Sequence, residues 1–294
     1  MMRFFAIFFL LANSAFAQTA LQTKIRTIAA DAHGKVAVAC SLPESSINCD
    51  LDPYARPPME SVFKLPLAVA TLDLVENEKF SLDQPIRFLP SDRILPHIYS
   101  PLQDKYPDAN VDVPLRELLR LAVSLSDNVA ADILLRIIGG PGVVTSYMKS
   151  IGVEGFHLED GEHGLHDDAK AQYRNWFEPI GAVELLRRIS DNSPLNDENI
   201  KLLQGWMQDT PTGPHQIKGE LPTGTIVMHK TGHSGTVDGV ASGTNDIGLI
   251  TLPDGRRLAI AIFVMDSTVD DATRESVMAR IAKAAYDESV QAKK

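Results

Sequence analysis

Strand-like stretches occur only towards the two ends of this chain, and helical periodicity fills the long middle. Lys35 to Cys40 is a short apolar strand, with Ser46 to Asp50 read as a return beside it. After Gly224 the pattern turns to strands at Thr225–Lys230, Val237–Thr244, Asp246–Leu252 and Leu258–Asp266, the last two separated by the turn Pro253-Asp254-Gly255. Between them, helical spacing marks Ser61–Glu76, Leu115–Ser124, Val129–Ile138, Val143–Ile151, Ala182–Ile189 and Glu198–Met207, with Leu21–Ala32 and Thr273–Ser289 as terminal helices. The expected architecture is α/β (α+β): an antiparallel sheet flanked by helices and built from both termini (18–56 and 210–294), plus an inserted all-α domain (57–209). A cleft between the two is the expected place for a site. The stretch 158–179 is polar, irregular and long for a connection, a length that is usually functional or disordered.

Arg3, the apolar run Phe4–Ala12 and the small-residue end Ser14-Ala15-Phe16-Ala17 form an export signal of residues 1–17, cut after Ala17. The run is too short to span a bilayer, and no Cys follows the cut to take a lipid, so a secreted, periplasmic chain without membrane anchor is expected. In that compartment Cys40 and Cys49 suggest a disulfide, with two unrelated free thiols as the alternative. The formal charge is −10, with 28 basic and 38 acidic side chains. That balance repels nucleic acid and anionic membrane. A small substrate is expected, with any anion on it met by a local cationic patch. The chain is expected to act as a monomer.

Three short strings carry chemistry. In Ser61-Val62-Phe63-Lys64, a helix places Ser and Lys on one face, so the ammonium reaches the hydroxyl. The helix N-terminus also favours a developing oxyanion. Ser126-Asp127-Asn128 follows a helix end and reads equally as an N-cap. Lys230-Thr231-Gly232 ends a strand, where Lys can fix a substrate carboxylate and Gly lets substrate backbone lie close to the strand edge. Each string alone is weak. Together, in this order and with gaps of 65 and 104 residues, they resemble the signature of the class A serine β-lactamases, shared with penicillin-binding proteins.

The resemblance covers nearly the whole chain after residue 17. It implies a β-lactamase/transpeptidase-like fold, Ser61 as acylated nucleophile, Lys64 and Ser126 as proton-transfer partners, and no cofactor or metal. It implies Asn128 for the substrate amide, and Lys230, Thr231 and Ser234 for the carboxylate of a β-lactam. It also implies that the backbone N–H groups of Ser61 and His233 form the oxyanion hole. Tyr99-Ser100-Pro101 resembles the segment that sets an aromatic at the cleft mouth. The family's loop pattern Glu-x-x-Leu-Asn matches Glu162-His163-Gly164-Leu165-His166 at Glu and Leu, which makes Glu162 the deacylating base. Trp176-Phe177-Glu178-Pro179 is a decoy that lies too close to Lys230.

Where the family has Arg and Asp paired across this loop, the chain has Asp160 and Asn175, so that ion pair cannot form. With His166 in place of Asn, with Asp132, and with the string Ala171 to Trp176, this resembles the PER-type extended-spectrum branch. His233 departs from it. The expected activity is hydrolysis of penicillins and cephalosporins, extended to bulky cephalosporins, giving antibiotic resistance. A D-alanyl-D-alanine carboxypeptidase and a penicilloyl sensor share the three strings and remain the alternatives. His163 and His166 lie three apart, but no Cys or His-rich segment accompanies them as a metal site would need.

Overall fold

The computed structural model describes residues 19–165 and 170–292. The export segment 1–17 and His166 lie outside the described residues. Helix α1 (Ala20–Ala29) opens on a capping box: Thr19 Oγ1 accepts from Gln22 N, and the Gln22 side chain returns to Thr19 N. Its face Leu21, Ile25 and Ala29 is buried, and strand β1 (Lys35–Ser41) follows. Helix α2 (Lys64–Glu76) is buried without a break from Lys64 to Leu72, which puts it at the centre of the helical layer.

Around α2 the middle of the chain folds locally. Strand β2 (Pro85–Phe88) and strand β3 (Val111–Pro114) pair with each other, with the short helix α3 (Pro101–Lys105) between them in sequence. Next come α4 (Leu115–Ser124), α5 (Asn128–Ile138) and α6 (Pro141–Ser150). Gly139 stops α5 in the left-handed conformation, φ 102°, that glycine takes without a Cβ penalty. The two-residue strands β4 (Phe156–His157) and β5 (Trp176–Phe177) pair and close a loop that carries the single turn α7 (Glu162–Leu165). Helices α8 (Pro179–Asp191) and α9 (Asp197–Gln208) complete the layer.

The chain then returns to the sheet with β6 (Val227–His233), β7 (Thr236–Val237), β8 (Val240–Thr251) and β9 (Arg257–Ser267), and ends in α10 (Asp271–Gln291). The sheet order is β1-β9-β8-β6, with β7 on β8, and every pair is antiparallel. Strand β9 shows why its sequence reads as one apolar run. Ile260, Ile262 and Val264 pack with Ile25 of α1 and Ile281 of α10. Ala259, Ala261 and Phe263 point the other way, into the core that includes α2. A strand buried on both faces loses the polar–apolar alternation. At 25 cal/mol per Å², burying Phe263 alone is worth roughly 2–3 kcal/mol.

Two expectations from the sequence change. Val237–Thr244 and Asp246–Leu252 are not two strands; residues 240–251 form the one strand β8. The break expected at Asn245 is absent: Asn245 and Asp246 both sit buried within the strand, each held by hydrogen bonds. Asn245 Nδ2 donates to Pro58 O at 2.9 Å, and Asp246 accepts from Ile217 N and His229 Nδ1. Ser46–Asp50 does not form a strand beside β1 either. Contact with β1 is a single bridge, Val38 to Leu51. Ser45 Oγ and Asn48 Oδ1 take the amides of Ile47 and Asp50, and such local bonds compete with a ladder.

Cys40 and Cys49 are nonetheless joined as a disulfide, with their Cα atoms 5.8 Å apart. The bond closes the irregular segment onto β1 where ladder hydrogen bonds are few. Replacing both cysteines by serine is expected to lower unfolding free energy by about 2–3 kcal/mol on the chain-entropy account. Urea denaturation of both forms checks this, and non-reducing peptide mapping that finds two free thiols in exported protein overturns it.

Candidate active site

The site begins with a tight turn. Residues 60–63 form one 3-10 turn that runs directly into α2, so Ser61 sits one turn ahead of Lys64. Lys64 is fully buried, and its ammonium is surrounded by four oxygens from three parts of the chain. Nζ donates to Ser61 Oγ at 2.8 Å, to Ser126 O at 2.9 Å and to Asn128 Oδ1 at 2.5 Å. Glu162 Oε1 lies 2.7 Å away. Three oxygens thus accept from the three N–H donors, and the Glu162 carboxylate adds its charge beside a fully buried cation. A buried ion is tolerated only with such partners.

Ser126 sits between α4 and α5 at φ 58°, a left-handed conformation that a non-glycine residue adopts only when its surroundings impose it. Asp127 imposes it. Its fully buried carboxylate caps α5 through Ala130 N at 2.8 Å, and also accepts from Ser100 Oγ at 2.9 Å and Leu102 N at 2.6 Å. The N-cap reading of Ser126-Asp127-Asn128 and its chemical reading therefore hold together, on different residues. Tyr99 follows as the exposed aromatic at the cleft edge.

Lys230 is also buried, on β6. Its Nζ donates to Ser126 Oγ at 2.9 Å and to Thr231 O at 2.8 Å. Burial and then the Lys64 charge push its pKa well below the usual lysine range. Thr231 Oγ1 lies 2.8 Å from Thr212 Oγ1, which lies 2.8 Å from Thr210 Oγ1, and that hydroxyl donates to Ser124 O at 2.8 Å. This hydroxyl chain ties β6 to the end of α4.

Gly232 is required for a reason other than substrate approach. A Cβ there would stand 2.5 Å from Met59 O, so the strand presses directly against the turn that presents Ser61. Ser234 is 3% exposed, and its Oγ accepts from Gly243 N at 3.0 Å. The cleft, about 310 Å³, is lined by Ser61, Tyr99, Ser126, Asn128, Thr231 and His233 among others, and its lining does not include Ser234. Thr212, Gln216 and Glu275 also line it and were not singled out by the sequence; each stands outside any motif. His233 Nε2 is 3.1 Å from Asp271 Oδ1, and burial followed by the Arg274 charge lowers its pKa, which favours the neutral ring.

The loop delivers Glu162 from the other side. Asp132 of α5 accepts from Glu162 N at 2.7 Å and His163 N at 3.0 Å, capping α7. Its Oδ2 is also 2.5 Å from His163 Nδ1, while His163 Nε2 meets Arg93 O at 3.0 Å. Both ring nitrogens of His163 are thus engaged by protein. The decoy Glu178 accepts from Arg56 Nε at 3.1 Å at the start of α8.

The missing ion pair has a replacement one residue away. Asp160 pairs with Arg174, Nε to Oδ2 at 2.6 Å. Asn175, 1% exposed, stitches the loop with neutral bonds: Oδ1 accepts from Glu159 N and Asp160 N, and Nδ2 donates to Asp160 O at 2.9 Å. Its carbonyl accepts from Met59 N at 3.2 Å. The loop is clamped where the sequence suggested a lost constraint. Asn175→Asp keeps both acceptor bonds but removes the Nδ2–H donor and sets a carboxylate beside Asp160. A loss of about 1–3 kcal/mol in urea unfolding is expected; an unchanged midpoint contradicts this reading of the clamp.

Against known proteins, residues 20–289 match the model of the beta-lactamase enzyme family. The extended-spectrum beta-lactamase PER-1 of Pseudomonas aeruginosa is 38% identical over 266 residues, which are 90% of this chain and 86% of that protein. The beta-lactamase VEB-1 of the same organism is 35% identical over 78% of this chain and 77% of its own. The crystal structure of a beta-lactamase from Chitinophaga pinensis superposes with a TM-score of 0.89 at 40% identity, covering 92% of this chain and all of that one. The TLA-1 extended-spectrum beta-lactamase gives 0.89 at 38% identity, covering 93% and 99%.

Proposed function

The chain belongs to the beta-lactamase enzyme family as a PER-like class A β-lactam hydrolase, and we propose that it works through an acyl-enzyme on Ser61. The observation that carries this reading is the buried Lys64 ammonium, which touches the Ser61 hydroxyl at 2.8 Å and the Glu162 carboxylate at 2.7 Å. A hydroxyl nucleophile, a cation and a carboxylate in contact give a path for the departing proton. Ser61 Oγ attacks the lactam carbonyl, and its proton passes to the Lys64–Glu162 pair. The N–H groups of Ser61 and His233 receive the oxyanion. Ser126, hydrogen-bonded to Lys230, protonates the leaving lactam nitrogen. Asn128 turns Oδ1 to Lys64, which leaves its Nδ2–H donors for the substrate's side-chain amide. Lys230 and Thr231 attract the substrate carboxylate. Ser234, held by Gly243, shapes the strand behind them. Glu162 then takes a proton from water, and hydroxide frees Ser61.

We read 18–56 with 210–294 as one domain and 57–209 as a second, with the cleft between, and residues 1–17 as the signal that sends a monomer to the periplasm.

Glu162→Gln cannot take a proton from water. Added cephalosporin should therefore accumulate as a covalent adduct on Ser61, visible by mass spectrometry, while Glu178→Gln turns over normally. The reverse result overturns the assignment of Glu162. Steady nitrocefin turnover by the unaltered enzyme separates this function from a carboxypeptidase or a sensor that acylates and stops.

We also propose that bulky oxyimino-cephalosporins are substrates. The clamp of Asn175 and Arg174 on Asp160 is unlike the paired loop of the wider family, and the similar proteins named above include extended-spectrum enzymes. Comparable kcat/KM is expected for cefotaxime or ceftazidime and for benzylpenicillin. A preference for penicillin above about a thousandfold, roughly 4 kcal/mol in the transition state, overturns it.

A further inference from the structure

Glu60 precedes the nucleophile, and nothing in the mechanism above uses it. It holds φ 48° at the first position of the turn Glu60–Phe63. That conformation turns its side chain inward, where it is 8% exposed. The side chain fills the space left by two strand glycines. A Cβ on Gly232 would stand 3.1 Å from Glu60 Cβ, and one on Gly243 would stand 3.0 Å from Glu60 Cγ. Asn245 Nδ2 lies 3.2 Å from the same point above Gly243, so the two side chains share one corner. Within that corner Glu60 Oε1 and Asn245 Oδ1 are both buried, and neither has a hydrogen-bond partner among the described residues.

Two orphaned acceptors in one corner are what a carboxylate would create. A carboxylic acid would remove the conflict, because it supplies one O–H donor. The charges that face Glu60 point the same way. From α2 comes Lys64, whose Nζ already donates to three oxygens, and from α7 comes Glu162, the fourth oxygen in contact with that ammonium. From the 171–174 turn comes Tyr173, a neutral phenol whose pKa is pushed up to about 12. From β6 and β8 the neighbours are Gly232, Gly243 and Asn245, which carry no charge.

We propose that Glu60 is a positioning residue for β-lactam hydrolysis that works as the neutral acid, its O–H bridging the turn that presents Ser61 to Asn245 of the sheet. The neutral form leaves Glu162 as the one carboxylate facing Lys64. Ionised Glu60 is a second anion whose buried Oε1 has no donor among the described residues, and it competes for the ammonium that orients Ser61 and Glu162. Burial first, and then the Glu162 charge, raise its pKa to about 8, against the opposing pull of Lys64. The acid form therefore prevails at neutral pH and is lost above it. This inference rests on the acyl-enzyme reading of Ser61.

The test is the pH profile of nitrocefin kcat/KM, from pH 5 to 10, for the mature enzyme and for Glu60→Gln, a side chain of the same shape that cannot ionise. Near pH 6.5 the two should agree within about threefold. At pH 9 the variant should exceed the unaltered enzyme by about tenfold, as one proton lost with a midpoint near 8 requires. Any fall due to Lys230 is common to both. Superimposable profiles, or a variant slower by one constant factor at every pH, overturn the inference.

An infrared difference spectrum of the unaltered enzyme between pH 6 and 10 supplies a readout independent of activity and of the variant's folding. A carboxylic-acid carbonyl band should vanish with a midpoint near 8, and the absence of any such band overturns the proposal. Stability gives a further sign. The unfolded chain ionises Glu60 from about its ordinary 4.5 and the folded chain only near 8. The unaltered enzyme should lose thermal midpoint relative to Glu60→Gln as pH rises through that window, and then level off. Absence of β-lactam hydrolysis at every pH would overturn the function itself, and the infrared band would still decide the state of Glu60.

Discussion

The Lys64 ammonium is the constraint on which the rest depends. A cation buried this completely has no water to share its charge, so its oxygens must come from protein. Here they come from the turn before α2, from the junction of α4 and α5, from α5 itself, and from the loop that carries α7. Apart from Ser126 and Asn128, which are close neighbours in sequence, these pieces are far apart along the chain. Their convergence joins the helical layer to the loop, and Lys230 Nζ on Ser126 Oγ links that layer to β6. The supporting bonds follow the same logic: Asp127 holds the α4–α5 junction, Asp132 holds α7, and Asn175 holds the loop to the strand-like segment before Glu60.

Most of the helical layer was legible in the sequence because its helices are amphipathic or bounded by strong punctuation. Leu115–Ser124 was read to the residue, and Gly139 marked the end of α5. The sheet was harder. Strand β8 was cut in two at Asn245-Asp246, since a polar pair inside a strand is invisible as strand until its partners Pro58, Ile217 and His229 are known. Segment 46–50 failed for the opposite reason. It stands where a strand could return beside β1, but short side-chain bonds take two of its amides.

The site divides in the same way. Ser61, Lys64, Ser126, Asn128 and Lys230 stand in short strings whose spacing survives as a pattern, and the structure brings them together. Glu162 joined them through a looser pattern. Glu60, Thr212, Gln216 and Glu275 belong to no pattern; only the folded cleft or corner gives them meaning. The loop shows a subtler limit. Reading Asp160 and Asn175 correctly removed one ion pair, but nothing in their identities revealed that Arg174 would supply another. A substituted contact is local in the sequence and collective in the structure.

The sheet's edge carries a consequence for how the molecule assembles. Strand β1 is completed by β9, and Lys35 at one end of that pairing is bonded to Asp266, 231 residues further along. The chain must therefore close its largest loop before its first strand has a partner. Such non-local closure is entropically costly and slow. Helices in the middle can gather early from near neighbours, but β6 cannot seat against the Ser61 turn until the final third of the chain is in place. The polypeptide is thus built to remain without a working cleft for most of its synthesis.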